Sequence, residues 1–346
     1  MEHTKTETIG CDISDKKVDL CILRADGGLE RPKAVEATRA AMRKFFGNRE
    51  RAHVVIEVST HSRWISELLK DLGHEVTVAN PRRLRLITAS DSKSDRTDAE
   101  LLARLGRADR SLLAPIEHRG RATQADLAIA RSRDVLVHCR TKLVNHARGL
   151  VKSFGERLPR CDAEYFHKKA RAHVPKELQL ALEPIFNALA QLSVEIKQHD
   201  RSIERVVSER YPDVTIVSQP RGVGELTGFV YLLTLEDKER FKKSRTVGAF
   251  IGLRPRQSQS GEVDKQLRIT KAGDPFLRRL LVQSAQYTLG PFGGDSDLRR
   301  WGLELAKRGG KNAKKRAIIA VARKLAVLMH RLWVTGEVYE PIGYAA

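Results

Sequence analysis

The chain has 346 residues, 41% of them apolar, and 63 Lys and Arg against 43 Asp and Glu leave a net charge of +20. That length suits two domains, or two with a connector, and the apolar share excludes a chain disordered throughout. No apolar run nears the ~18–20 residues of a membrane span, and residues 1–10 are too polar for a signal peptide. The four cysteines (Cys11, Cys21, Cys139, Cys161) form no C-x-x-C pair, so the expectation is a soluble cytoplasmic protein without a zinc module or disulfide framework.

Strands and helices alternate over the first hundred residues. Thr8 to Ser14 and Val18 to Leu23 are apolar-rich, β-branched runs separated by Asp15-Lys16-Lys17, which predicts a hairpin. Gly27-Gly28 turns the chain toward a short third strand. The spacing then predicts a helix over Ala34 to Phe46, a buried strand over His53 to Val58, a helix over Trp64 to Leu72 stopped by Gly73, and a strand over Glu75 to Ala79. Strands, helix, strand, helix, strand is the order of a mixed sheet with helices on its faces.

Helical periodicity resumes over Arg121 to Phe154 and stops at Gly155, and residues 156–176, with two prolines and many charges, read as a loop. Leu182, Ile185, Leu189, Leu192, Ile196, His199, Ile203 and Val206 then recur at alternating spacings of three and four, the seam of a coiled coil. Such a narrow seam needs a partner helix, from this chain or a second copy, and predicts a homo-oligomer. His199, its only polar member, reads as a register-setting residue. Pro220-Arg221-Gly222-Val223-Gly224 reads either as a helix-hairpin-helix turn that brings backbone N–H groups to a phosphate or as a plain helix connection. A mainly helical domain runs from about Pro212, its last helix striped by Ile318, Val321, Leu325, Leu328 and Leu332. The divisions are therefore 1–120, 121–211 and 212–346.

The charge is balanced in residues 1–80 and reaches +11 in residues 211–346. A basic field of this kind favours a polyanion, because each phosphate contact releases condensed counterions. Lys311, Lys314, Lys315 and Arg316 are the densest cluster and the first candidates for nucleic-acid contact.

Two carboxylates sit inside apolar strands, Asp12 in Ile9-Gly10-Cys11-Asp12-Ile13 and Glu57 after Val54-Val55-Ile56. A carboxylate there is costly unless a cation compensates it. Asp95 and Asp98 share one helix face with Leu102 and Leu105, and read either as helix-capping residues or as further ligands. Four oxygen donors of this type suit Mg²⁺, and two ions so held stabilise both the attacking and the leaving oxygen in phosphoryl transfer.

Asp12, Glu57 and Lys93-Ser94-Asp95-Arg96-Thr97-Asp98-Ala99 resemble the D, E, K-x-D-x-x-D-A pattern of the RuvC-like domain in a family of insertion-sequence transposases. Phe250 to Arg256, then Ser260-Gly261, Ile269 to Asp274 and Leu277 to Leu281, are similar in order to the transposase domain of that family. One departure is local: after the glutamate the family has a small residue and then glycine, where this chain has Val58-Ser59-Thr60. The resemblance implies an RNase H/RuvC-like α/β domain, a helical connector and a mainly α C-terminal domain. It further implies a DNA recombinase directed by a structured guide (bridge) RNA that pairs with donor and target DNA. Asp12, Glu57, Asp95 and Asp98 would hold Mg²⁺, and Ser260, with Ser258 as the competing assignment, would attack a DNA phosphate. Family members build this site from domains of different protomers, in a dimer or a tetramer. Arg254, Arg256, Arg268 and Lys271 flank the serine and are the candidates for gripping phosphates. The competing reading is a Holliday-junction-resolvase-like nuclease in which the four carboxylates activate water and Ser260 has no part.

Overall fold

The computed structural model describes residues 6–81, 95–260 and 263–343; the side chains of residues 95, 96, 258, 260 and 263–266 are outside that description. The chain divides into two units, Met1–His118 and Arg119–Ala346.

In the first unit, β1 (Thr8–Ile13), β2 (Lys17–Leu23), β3 (Leu29–Glu30), β4 (Val35–Glu36), β5 (His53–Glu57) and β6 (Glu75–Ala79) form a mixed sheet. Its order is β3-β2-β1-β5-β6, with β4 also on β2. β1 and β2 are an antiparallel hairpin, whereas β1–β5 and β5–β6 are parallel and need helical crossovers. Two of the helices are α1 (Arg39–Phe46) and α2 (Ser62–Asp71). α1 begins later than its periodicity predicts, because Val35 and Glu36 pair with Val18 and Lys17 of β2 and the Thr38 hydroxyl then accepts from the Ala41 N–H at 3.3 Å as the N-cap.

Side chains alternate across each strand, so the two sheet faces can be read from the register. Ile9, Cys11, Leu20, Ile22, Val54 and Ile56 face one way and close over Met42 and Phe46 of α1 and Ile65, Leu68 and Leu69 of α2. Cys21, Leu23 and Val55 face the other way and meet α3 (Asp95–Ala108) through Ala99, Ala103, Leu102 and Leu105. Gly10 is what lets this helix sit so low. A Cβ there would overlap the Ala99 carbonyl oxygen and lie 2.6 Å from the Ala103 nitrogen. Gly10→Ala should therefore destabilise this unit by about 3 kcal/mol or more, since backbone rather than a flexible side chain blocks the methyl. Chemical denaturation followed by tryptophan fluorescence measures it, and an unchanged midpoint would contradict the packing.

His53 also lies on the α3 face, buried, with Nε2 2.8 Å from the Thr77 hydroxyl. Burial pushes its pKa down from 6.5 to about 4. A depressed histidine pKa means that the unfolded chain binds the proton first. Stability is then full above pH 6.5 and is lost as pH falls from 6.5 toward 4, by about 3 kcal/mol in all. Unfolding free energies across that window should show the slope, and His53→Gln should flatten it.

The second unit is built on two long antiparallel helices, α4 (Arg121–Ser153) and α6 (Lys176–Arg210). Asp126 meets Arg210, Arg133 meets Asp200 and Arg140 reaches Ser193, which sets their pairing along the length. The heptad seam finds its partner helix within the chain: Leu182, Leu189, Ile196, Ile203 and Val206 are buried. His199 is half-buried, with Nδ1 2.9 Å from the Glu195 carbonyl. Residues 156–176 are only in part the loop predicted. They hold α5 (Phe166–Lys169) and a 3₁₀ turn (Arg171–His173) that cap the far end of the helix pair. Phe166 is buried there against Phe186 at 5.8 Å, with the Arg148 guanidinium 4.9 Å over its ring. Elements of three and four residues carry no period to read.

At the other end of the pair, α7 (Val214–Val217), α8 (Glu225–Leu235), α9 (Val247–Phe250), α10 (Pro275–Leu289), α11 (Asp297–Lys307) and α12 (Ala313–Thr335) pack together. α8 is apolar all round and lies at the centre, buried from Thr227 to Leu235. Leu127 and Ala130 of α4 and Ile203, Val206 and Val207 of α6 belong to the same core. The Pro220–Gly224 turn joins α7 to α8, with the Val223 N–H donating to the Pro220 carbonyl at 3.0 Å and Gly222 at φ +100°. Buried His330 contacts the Ser244 hydroxyl (2.9 Å) and the Lys238 carbonyl (3.1 Å), a structural role. The C-terminal half also holds a two-stranded hairpin, β7 (Pro255–Ser260) and β8 (Val263–Ile269), in what composition alone reads as a polar turn. Among the described residues, no helix is long and apolar enough to cross a membrane.

Candidate active site

The carboxylates of the first unit are collected by strand register. Cys11 pairs with Ile56 in the parallel β1–β5 ladder, so Asp12 and Glu57 are the next residues along both strands, at adjacent C-terminal ends. Both are half-buried, and by alternation Asp12 shares the face of Gly10 and Glu57 the face of Val55, which is the α3 face. α3 runs antiparallel to β1: a Cβ at Gly106, near its C-terminus, would lie 3.6 Å from Thr8 Cγ2, whereas Ala99 covers Gly10. Helix residues before Ala99 therefore extend toward Asp12. Asp95 lies four residues before Ala99, about 6 Å along the helix, and Asp12 lies two beyond Gly10, about 7 Å along the strand. The N-terminus of α3, with Asp95 as its first residue and half-buried Asp98 in its first turn, is thus directed to the same end of the sheet as Asp12 and Glu57.

Asp19 joins this face and was not among the residues singled out by sequence. It is buried, pairs directly across the hairpin with Asp12, and its carboxylate lies 2.9 Å from the Lys17 ammonium. The hairpin turn carries the signal: centring it on Asp15 and Lys16 puts positions 12 and 19 opposite each other. Like charges so placed repel, and Lys17 offsets one of them. Among the described residues, no three carboxylate, histidine or cysteine side chains already converge at ligand distance. Asp95, whose side chain is outside the description, is the fourth donor of the predicted set. The donors are all hard oxygens, without sulfur or imidazole, and carboxylates of this kind fit an ion that keeps several waters rather than one held in a closed protein cage.

Ser260 ends β7, paired in register with Val263, and Ser258 lies two residues earlier opposite Lys265. Both serine side chains are outside the description, so the choice between them rests on sequence. Arg254, Arg256, Arg268 and Lys271 are exposed around the hairpin. Lys311, Lys314, Lys315 and Arg316 are exposed where α12 begins, some 50 residues further along the chain. The hairpin leads into α10, whose N-cap Asp274 accepts from the Phe276 and Leu277 N–H groups at 2.8 and 3.1 Å and pairs with Arg131 of α4 at 2.6 Å. Burial works to raise the Asp274 pKa, but these N–H groups and the Arg131 charge hold it below the usual carboxylate value.

A mixed sheet with two acidic strand ends, an acidic helix N-terminus aimed at them and a basic helical unit carrying an exposed hairpin define a RuvC-like nucleic-acid-processing enzyme. Residues 9–155 match the family model described as a transposase with the DEDD domain of IS110, and residues 214–293 match the transposase model of the IS116/IS110/IS902 family. The chain belongs to this family of insertion-sequence transposases, enzymes that cleave and rejoin DNA. It is 30% identical to the transposase for insertion sequence element IS1111A of Coxiella burnetii over 78% of this chain and 74% of that one. It is 27% identical to a probable family 20 transposase of Pseudomonas aeruginosa over 88% and 90%. A pilin gene-inverting protein of Moraxella bovis is 23% identical over 82% and 80%.

Proposed function

We propose that this transposase is an RNA-guided recombinase that cuts and rejoins donor and target DNA in the cytoplasm through a phosphoserine intermediate, with Mg²⁺ at the carboxylates. The observation that supports the reading is the placement of Asp12, Glu57 and the N-terminus of α3 at one end of the sheet. Bound Mg²⁺ would neutralise charge on the phosphate and lower the pKa of a coordinated hydroxyl. Asp12, Glu57, Asp95 and Asp98 would hold that ion in place. The Ser260 oxygen forms a bond to phosphorus as the bond to the departing sugar oxygen breaks, and the serine proton leaves with that oxygen or to solvent. The phosphodiester energy is kept in the serine ester, so rejoining needs no ATP. Arg254, Arg256, Arg268 and Lys271 grip the flanking phosphates, with Lys311, Lys314, Lys315 and Arg316 on more distant backbone. A guide RNA is bound by shape and backbone charge, and the working form is a homo-oligomer.

The test is a denaturing gel of end-labelled donor and target DNA incubated with the protein, Mg²⁺ and RNA transcribed from the flanks of the element. A protease-sensitive, slow-migrating adduct that needs RNA and metal is the expected result. Clean cuts without an adduct, equal in wild type and Ser260→Ala, would replace this reading with hydrolysis by the carboxylates alone.

A further inference from the structure

The hairpin β7–β8 forms a sheet of its own, and a two-stranded sheet alone is marginally stable. Its direction is therefore set at its root, and the root is unusually tight. The chain enters the hairpin through Ile251, Gly252 and Leu253, all buried, and leaves it through Lys271, Ala272 and Gly273. A Cβ at Gly252 would overlap the Ala272 carbonyl oxygen, and one at Gly273 would overlap that of Phe250, so the two backbones cross in direct contact. Both glycines have positive φ (+80° and +70°). Lys271 adopts φ +54° as well, a conformation that costs a side-chain-bearing residue about 1–2 kcal/mol and persists only where the surroundings impose it. The Lys271 N–H donates to the Gly252 carbonyl at 3.1 Å and the Thr270 N–H to that of Arg254 at 2.9 Å. The ladder is irregular between Pro255 and Gln257, just above.

One side chain spans the crossing. Nη1 of Arg278, on the first turns of α10, donates to the Ile251 carbonyl at 3.0 Å and to the Ala272 carbonyl at 2.9 Å. It thus ties the segment that enters the hairpin to the segment that leaves it. α10 is itself anchored to α4 by the Asp274–Arg131 pair at 2.6 Å.

We infer that Arg278 is a positioning residue for strand transfer: by bridging the two carbonyls at the root it fixes the aim of the hairpin whose tip carries Ser260. The inference rests on the serine reading above. From Pro255 to Ser260 the strand is about 17 Å long, so a 10° change at the root moves the tip by about 3 Å. A displacement of about 1 Å at a reacting centre already costs about 100-fold in rate. Removing the tie should therefore slow chemistry far more than it weakens binding, since Lys311, Lys314, Lys315 and Arg316 lie at the start of α12 and not on the hairpin.

The experiment compares full-length wild type with Arg278→Met and Arg278→Lys. Arg278→Met should bind an end-labelled duplex of the element terminus with at most about a tenfold loss, arising at the hairpin cations Arg254, Arg256, Arg268 and Lys271. Its single-turnover strand transfer at saturating DNA should fall about 100-fold. Hydrogen exchange of residues 255–269 should quicken while α10 keeps its protection. Arg278→Lys, which can still donate to a carbonyl, should recover part of both the rate and the protection. Unchanged exchange in the hairpin of Arg278→Met would overturn the inference, as would a loosened hairpin with wild-type transfer. Loss of protection throughout the second unit in both variants would also overturn it, by making Arg278 a general stability residue. Failure of the serine reading shows separately, as normal transfer by Ser260→Ala with an undisturbed Arg278.

Discussion

Ser260→Ala should abolish strand transfer, by about 10⁴-fold or more, while binding donor and target DNA as wild type does. A covalent nucleophile has no substitute within its own step, so its removal costs far more than the loss of a binding contact. The substitution deletes one oxygen at the end of β7 and leaves the ladder intact, since the Ser260–Val263 pairing is made by backbone. Circular dichroism and DNA affinity should not change. Ser258→Ala is the informative neighbour: it lies on the same strand, two residues earlier, and should retain transfer. If the two results were exchanged, Ser258 would be the nucleophile. If both variants were active, the covalent mechanism would fall.

The second large effect is expected at Asp12. Asp12→Asn keeps the shape of the side chain and removes its charge, and should lower Mg²⁺-dependent cleavage and transfer by about 10³-fold. Stability provides a second readout. Asp12 faces Asp19 directly across the β1–β2 ladder and Glu57 follows the paired residue on β5. Removing one charge from such a set relieves repulsion, so the variant should unfold no earlier than wild type and within about 1 kcal/mol of it. Mn²⁺ binding, followed by electron paramagnetic resonance, should weaken in parallel with activity. A carboxylate kept for structure alone would behave oppositely, with stability falling on substitution and Mn²⁺ binding unaltered.

The strands and long helices were readable because each carries a period. Ile9, Cys11 and Val54, Ile56 alternate with the α3-facing set, and the α6 seam repeats over about seven turns of helix. Asp12 and Glu57 stood out for a related reason, as charges inside apolar runs. What the sequence could not supply is pairing between segments. Nothing in the order of residues says that Gly10 is small because Ala99 lies on it, or that Ile251 and Ala272 share one guanidinium. Asp19 was missed because its strand position is set by its hairpin partner rather than by its neighbours. The hairpin β7–β8 escaped because β7, Pro255 to Ser260, has no apolar residue after its proline, so no alternation marks that strand. The cap over residues 156–176 escaped because its elements are too short to repeat.

The long helix pair has a consequence for how such chains can diverge. Its root is embedded in the core around α8, and its far end has a separate apolar cluster of Phe166, Phe186, Leu182 and Val151. Between the two, the contacts are local rungs such as Arg133–Asp200 and Arg140–Ser193. Inserting seven residues into each helix at matched rungs would carry the cap about 10 Å outward and leave both ends packed as before. The helix pair is in this sense a ruler, whose length can drift by whole steps under selection for a new spacing while the chemistry at either end is left alone.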